Sequence, residues 1–384
     1  MTELPSHVIH SARKLDADGL VDDFWLATTG ERITATGDGI GWKAFAVGAT
    51  VTDAGGHWLT PGFIDLHGHG AGGHSYDDGL EEMQAALATH RSHGTTRSVI
   101  SLVANPLAAL RESLGIIADL AERDPLVLGS HLEGPYLAPA RRGAHSAEFL
   151  REPDPELTDQ LIGAARDTLR VVTIAPELPN ALETIDVLVA AGIEVGVGHT
   201  EATDDQAHAA FDRGARLLTH AFNAMPGIHH RAPGPVVAAL QDQRVTLELI
   251  LDGLHVHPHV ARLLFAGAPG RVALITDSMA AAGAADGDYR LGALNVTVAN
   301  GLAVLSGTET IAGSTLTQDA ALRIAIECAG VEPVIAIDAL TRAPARVLGR
   351  EHELGTLKPG FLADAVLLDH EWRTTAVWAA GRRI

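Results

Sequence analysis

The sequence predicts an α/β protein: a (β/α)8, TIM-like barrel with a small β-sandwich domain formed from both termini. Two observations predict it. Eight short apolar runs alternate with amphipathic stretches of helical length, the pattern of parallel strands joined by crossover helices. The stretches before and after this alternation are rich in β-formers and lack helical periodicity, and each alone is too small for a stable sheet. They are therefore expected to pair with each other, as residues 1–58 and 352–384, around a barrel of residues 59–351. A doubly wound open sheet is the competing architecture.

In chain order, Val8 to Val51 reads as short strands and turns, with a hairpin at Phe24–Ala27 and Gly30–Gly37. Barrel strands are expected at Phe63–His67, Thr96–Ser101, Val127–His131, Val171–Ala175, Ile193–Gly198, Leu217–His220, Val245–Leu251 and Val272–Thr276. Helices are expected between them at Leu80–His93, Pro106–Glu122, Pro155–Asp167, Ala181–Ala191, Thr203–Arg213, Pro233–Asp242 and Pro258–Phe265. Several begin at a Pro or behind a Thr or Asp cap, as helix starts should. After the eighth strand, Tyr289–Val298 and Gly301–Leu305 read as an inserted hairpin before the helix Thr315–Ala329. Such an insertion is a usual wall for a substrate site. A helix over Ala336–Leu348 then leads back to strands at Ala363–Asp369 and Thr375–Gly381.

Composition narrows the function. A hydrophobic content of 46% supports a sizeable core, and the net charge of −20 disfavours nucleic acid and anionic membrane surfaces. No run approaches a membrane span, and Met1 to Leu15 lacks a signal peptide's apolar stretch. The single cysteine, Cys328, permits no disulfide within the chain, which fits a reducing cytoplasm, and it is expected as a small core residue. A cytoplasmic location is the expectation.

The chemistry gathers at strand ends. His67 and His69 end strand one with one glycine between them, a spacing that can aim two imidazoles at one ion. Glu133 follows strand three, His199 ends strand five, His220 ends strand six and Asp277 ends strand eight. A single buried histidine is more often a satisfied core residue than a ligand. Four histidines and two carboxylates on the face where barrel active sites lie are harder to explain as core. Nitrogen and oxygen donors without thiolate suit Zn²⁺, Fe²⁺, Mn²⁺ or Co²⁺, ions that bring bound water toward a neutral pKa. Asp277 is placed to take and return a proton. Glu177, after strand four, is expected to orient neighbours or cap a turn, and His90 and His93 to face outward from a helix.

Pro61-Gly62-Phe63-Ile64-Asp65-Leu66-His67 and the tail Gly355-Thr356-Leu357-Lys358-Pro359-Gly360 with Ala363-Asp364 resemble the entry strand and the return of the amidohydrolase superfamily. Narrower motifs resemble its N-acetylglucosamine-6-phosphate deacetylases. These are His131-Leu132-Glu133-Gly134-Pro135-Tyr136, Gly143-Ala144-His145, Ala175-Pro176-Glu177, Gly198-His199-Thr200, His220-Ala221-Phe222-Asn223-Ala224-Met225-Pro226, Asp252-Gly253-Leu254-His255-Val256 and Ile311-Ala312-Gly313-Ser314. The resemblance implies hydrolysis of a sugar-phosphate acetamide. It implies that Glu133, His199 and His220 are the main metal ligands, and that Glu133 replaces the strand-four lysine of many amidohydrolases. His67 and His69 then suggest a second ion, so one or two ions per subunit, with Zn²⁺ first. Asp277 looks like the acid/base and His145 like the group that polarises the acetyl carbonyl. Ala144, Asn223, Ala224, Arg231, His255, Ile311, Ala312 and Gly313 resemble substrate contacts. Arg231 is implied to reach the neighbouring active site of a homodimer, although the segment around it departs from the family pattern. The alternatives are a dihydroorotase- or dipeptidase-like amidohydrolase and a non-catalytic scaffold. The missing strand-four lysine and the phosphate-side motifs argue against the first. The intact ligands and final aspartate argue against the second.

Overall fold

The computed structural model describes residues 6–384, so the first five residues of the expected terminal domain lie outside the described residues. The chain forms two compact units. The first takes in the described residues up to Asp65, His90–Arg97 and Gln318–Ile384; the second takes in Leu66–Thr89 and Ser98–Thr317.

In the first unit the two ends of the chain build one sheet, as expected. Trp58–Pro61 joins them: it pairs in parallel with Ser6–Asp16 and antiparallel with Ala365–Leu368. The eight-stranded sheet also holds Gly19–Thr29, Arg32–Asp38, Thr50–Asp53, Thr374–Ala379 and Arg382–Arg383. Its apolar side chains, among them Ile9, Phe24, Leu59, Leu367 and Trp378, form a continuous buried cluster. A buried ion pair lies beside it. Arg97 meets Asp364 through two bonds, of 2.6 and 3.1 Å, and the Ala380 amide donates to the same carboxylate at 2.7 Å.

Two helical expectations change here. The helix expected over Thr315–Ala329 is the shorter Gln318–Arg323, followed by a π-helical turn at Ile324–Cys328. Ala325 and Ala329 take the inward positions of that turn, so Cys328 is exposed and not part of the core. The helix expected over Ala336–Leu348 is two, Pro333–Leu340 and Arg342–Val347. Pro344 has no N–H to continue the ladder, and the chain breaks at Thr341.

The barrel strands are Phe63–Asp65, Thr95–Leu102, Val127–Glu133, Leu169–Ile174, Glu194–Val197, Leu217–Leu218, Thr246–Ile250 and Val272–Ile275. Their spatial order is their chain order, without the reversal a doubly wound sheet requires. From Thr95–Leu102 onward each pairs in parallel with the next. The Asp277 amide donates to the His67 carbonyl at 2.8 Å and draws the last strand toward the first. Small residues fill the interior where strands approach. A Cβ on Gly198 would lie 2.6 Å from the Thr219 Cβ and 2.9 Å from Thr173, so that position excludes a side chain.

Leu80–Ser92 buries Met83, Ala86, Leu87 and His90 along one stripe. His90 therefore faces inward, contrary to the expectation: it is seven residues after Met83, on the same helix face. His93 is half-exposed and meets Asp319 at 3.2 Å. The insertion after strand eight has three antiparallel strands, Gly287–Leu291, Leu294–Ala299 and Leu302–Leu305, one more than a hairpin.

Candidate active site

Glu133, the last residue of its strand, lies between two sets of imidazoles. Its Oε1 is 2.9 Å from His199 Nε2, 3.1 Å from His220 Nε2 and 3.4 Å from His67 Nε2. Its Oε2 is 3.1 Å from His69 Nε2 and 3.2 Å from His145 Nε2. The two nitrogens of the His67–His69 pair are 3.2 Å apart, and Asp277 Oδ1 lies 3.3 Å from His69 and 3.6 Å from His67. Strained backbone aims three of these side chains. His199, His220 and Asp277 have φ of 47°, 30° and 45°, a left-handed region that side chains other than glycine seldom adopt.

For His199, His67 and His145 the position of the proton follows from the partner of Nδ1. His199 Nδ1 faces the Arg141 carbonyl at 2.7 Å and must donate, which leaves a lone pair on Nε2. His67 Nδ1 faces Glu248 at 3.3 Å with the same result. His145 is the reverse. The Ala104 amide donates to its Nδ1 at 3.2 Å, so Nε2 carries the proton and points at Glu133 as a donor. His145 is thus set to polarise an oxygen, and His220, whose Nε2 is 3.0 Å from that of His199, fits better beside His199 as a ligand.

The field of the cluster calls for a cation. Burial opposes charge on His67, yet Glu133 and Asp277 hold its pKa well above the usual imidazole value. Burial likewise opposes charge on His69, but bonds to Asp277 and Glu133 raise it to about 9. Glu133 stays well below the usual carboxylate range because the charges on His67, His145 and His199 outweigh its burial. Asp277, against its burial, is pulled down to about 2 by His67 and His69. Two buried carboxylates therefore draw protons onto neighbouring imidazoles, the protons that a divalent ion displaces. Donor separations near 3 Å are those of atoms sharing one ion at roughly 2.1 Å. His67, His69, Glu133 and Asp277 form one group able to hold a metal, and Glu133, His145 and His199 a second.

A cavity of about 430 Å³ opens above this cluster. His69, Glu133, His145, His199, His220 and Asp277 line it; His67, fully buried, does not. The wall also brings together Ala144, Asn223, Ala224, His255, Ile311 and Gly313. Ala312 does not line the cavity and is fully buried. Gly313 has φ +65°, and a Cβ there would lie 3.0 Å from the Asp277 carbonyl, which accepts from the Ser314 amide at 2.7 Å. The Ile311–Ser314 motif thus packs directly against the turn that carries Asp277. Arg231 is exposed, outside its own chain's cavity, and donates to His230 at 2.8 Å.

His255 Nδ1 meets Asp252 at 2.7 Å. Burial opposes its charge, but Asp252 wins and its pKa is raised. Glu177 accepts from the Thr200 hydroxyl and, at 2.5 Å, from the Glu201 amide, so it does orient the turn after His199. Sequence reasoning missed several groups. Glu248, deep in the floor, bonds His67 Nδ1 and the His220 amide. His131 is held by Ser101 and Thr173 at 2.9 Å each, and burial drives it well toward its neutral form. Arg141, Arg142 and Thr310 line the cavity. Only Glu248 had a usable signal, a lone acid inside an otherwise uncharged barrel strand.

A nearly closed parallel barrel with histidines and carboxylates at its strand ends defines a metal-dependent hydrolase class. The family model of the amidohydrolases matches residues 58–383, and this chain belongs to that family. Among its relatives, an N-acetylgalactosamine-6-phosphate deacetylase of Escherichia coli O157:H7 is 40% identical over 98% of this chain and 99% of its own. An N-acetylglucosamine-6-phosphate deacetylase of Vibrio furnissii is 35% identical over 85% of this chain and 82% of its own. A mutant N-acetyl-D-glucosamine-6-phosphate deacetylase of Mycobacterium smegmatis, solved in complex with N-acetyl-D-glucosamine-6-phosphate, superposes with a TM-score of 0.93 at 40% identity, over 99% of both chains. No helix among the described residues is long and apolar enough to cross a membrane.

Proposed function

We propose that this chain hydrolyses N-acetyl-D-glucosamine 6-phosphate to D-glucosamine 6-phosphate and acetate, a step of amino-sugar catabolism. One observation carries the reading: Glu133, His199 and His220 meet within 3.1 Å, with Asp277 and the proton of His145 facing the same cavity. What the named relatives act on supports the substrate.

In this reading Glu133, His199 and His220 are the main metal ligands, and His67 and His69 hold a second ion. Zn²⁺ is the metal proposed. A divalent ion there supplies Lewis-acid polarisation of the acetyl carbonyl and water acidic enough to attack near neutral pH. Asp277 takes the proton of the attacking water and delivers it to the sugar nitrogen, because an amine is a poor leaving group unless protonated. His145 donates from Nε2 to the carbonyl oxygen as negative charge develops there. Asn223, Ala224 and cationic His255 bind the sugar phosphate. The exposed Arg231 completes the phosphate site of a second copy in a cytoplasmic homodimer, where its planar fork suits a phosphate.

The test is acetate release, with Zn²⁺ present, from N-acetylglucosamine with and without the 6-phosphate. The phosphorylated sugar is expected to be strongly preferred; equal rates overturn the phosphate assignment, and no acetate from either overturns the activity. A second reading has N-acetylgalactosamine 6-phosphate as the preferred epimer. It is raised by the 40% identity of the galactosamine relative, which equals that of the Mycobacterium smegmatis glucosamine enzyme. The same assay on both epimers decides between them.

A further inference from the structure

We infer that Asp77 is a positioning residue for the second metal, accepting the Nδ1 proton of His69 and so presenting its Nε2 lone pair to the ion. The inference rests on the proposed role of His67 and His69 as ligands.

The chain's path places the two residues together. After His69 it forms a two-strand turn, in which Gly70 pairs with Ser75 and Ala71 with His74. The turn returns the backbone beside its start, and the Tyr76 amide donates to the His69 carbonyl at 2.8 Å. Asp77 is the next residue. Its own amide is held by Ser75 Oγ at 3.3 Å, and its Oδ1 accepts from Asn105 Nδ2 at 2.8 Å. One oxygen of the carboxylate is thereby engaged and the second is left over.

That oxygen and the ring of His69 have matching needs. Asp77 Oδ2 and His69 Nδ1 are both buried, and neither has a hydrogen-bond partner among the described residues. One is an acceptor without a donor. The other must be a donor once Nε2 binds an ion, since a neutral imidazole carries one proton. Two such orphans on adjacent backbone are uncommon, because each unmet group costs about 1–3 kcal/mol. His67 shows the completed arrangement, with Glu248 on its Nδ1. His199 shows it with a carbonyl. Ligating histidines almost always have such an outer partner, which sets the tautomer and ring orientation. His69, like His220, has none among the described residues, and for His69 the neighbouring Asp77 can supply it.

The test titrates Zn²⁺ into the metal-free full-length protein and counts bound ions, with Co²⁺ absorption as a second readout. Wild type, H69A, D77A and D77N are compared. Wild type is expected to bind two equivalents and H69A one. D77A should bind the first equivalent normally and the second about 10–100-fold more weakly, the usual loss on removing an outer partner of a ligand. D77N, which retains an acceptor but no charge, should fall between, and the Co²⁺ spectrum of the second equivalent alone should change. Two sites of wild-type affinity in D77A overturn the inference and leave the second-metal reading standing. If D77A does not fold, a wild-type second site in D77N overturns it. A wild-type protein that binds one equivalent, unchanged in H69A, overturns both.

Discussion

His199 Nε2 lies 2.9 Å from Glu133 Oε1 while its Nδ1 faces the Arg141 carbonyl at 2.7 Å. One ring is thus held between a donor-seeking backbone and the carboxylate at the centre of the site. Replacing Glu133 by Gln removes the charge that the surrounding imidazoles share. Metal affinity should fall by more than the about 10–100-fold that outer partners are worth. Metal analysis of the purified variant checks this, and wild-type metal content would remove Glu133 from the ligand set.

Asp277 plays a different part. Replacement by Asn should leave the fold and the ion at Glu133, His199 and His220 intact and lower kcat by about 10²–10⁴-fold, the range for a general acid–base group. Acetate release measured beside metal content separates the two. A fully active Asp277→Asn protein would end the assigned role.

His255 should make substrate affinity depend on pH. Its pKa is raised above the usual 6.5, with Asp252 outweighing burial, so the cation persists below the raised value and is lost as pH climbs through it. The substrate phosphate becomes a full dianion above about pH 6. KM for the phosphorylated sugar should therefore be lowest between these limits and rise on the alkaline side. In His255→Gln the alkaline rise should vanish while kcat changes little.

Arg231 can be tested by mixing. If it completes the site of a second copy, Arg231→Ala and Asp277→Asn proteins are each inactive, yet their heterodimer holds one intact site. With free chain exchange in equal amounts, activity should recover to about one quarter of wild type. No recovery argues that each site uses only its own chain.

The Arg97–Asp364 pair governs stability, not catalysis. Both side chains are nearly fully buried, so Asp364→Ala leaves an uncompensated buried charge and should cost about 3–5 kcal/mol. Urea unfolding measures it. Replacing both by apolar residues of similar volume should recover most of the loss.

By itself the sequence determined the barrel and the face on which its chemistry lies. Hydrophobic periodicity is local, so strands such as Val127–Glu133 and helices such as Ala181–Ala190 fall within a residue or two of expectation. A parallel barrel points every strand's carboxyl end the same way, so His67, His69, Glu133, His199, His220 and Asp277 had to converge. Periodicity also held a signal for buried His90. Tertiary structure alone decided the rest, because it depends on partners distant in the chain. Glu248 is 181 residues from the ring it orients. Which nitrogen of His145 or His199 carries a proton is set by the Ala104 amide and the Arg141 carbonyl. Cys328 is outside because one turn widens, a packing outcome invisible to composition. A residue's type and spacing determine what chemistry it can do; the groups that surround it after folding decide which part of that chemistry it does.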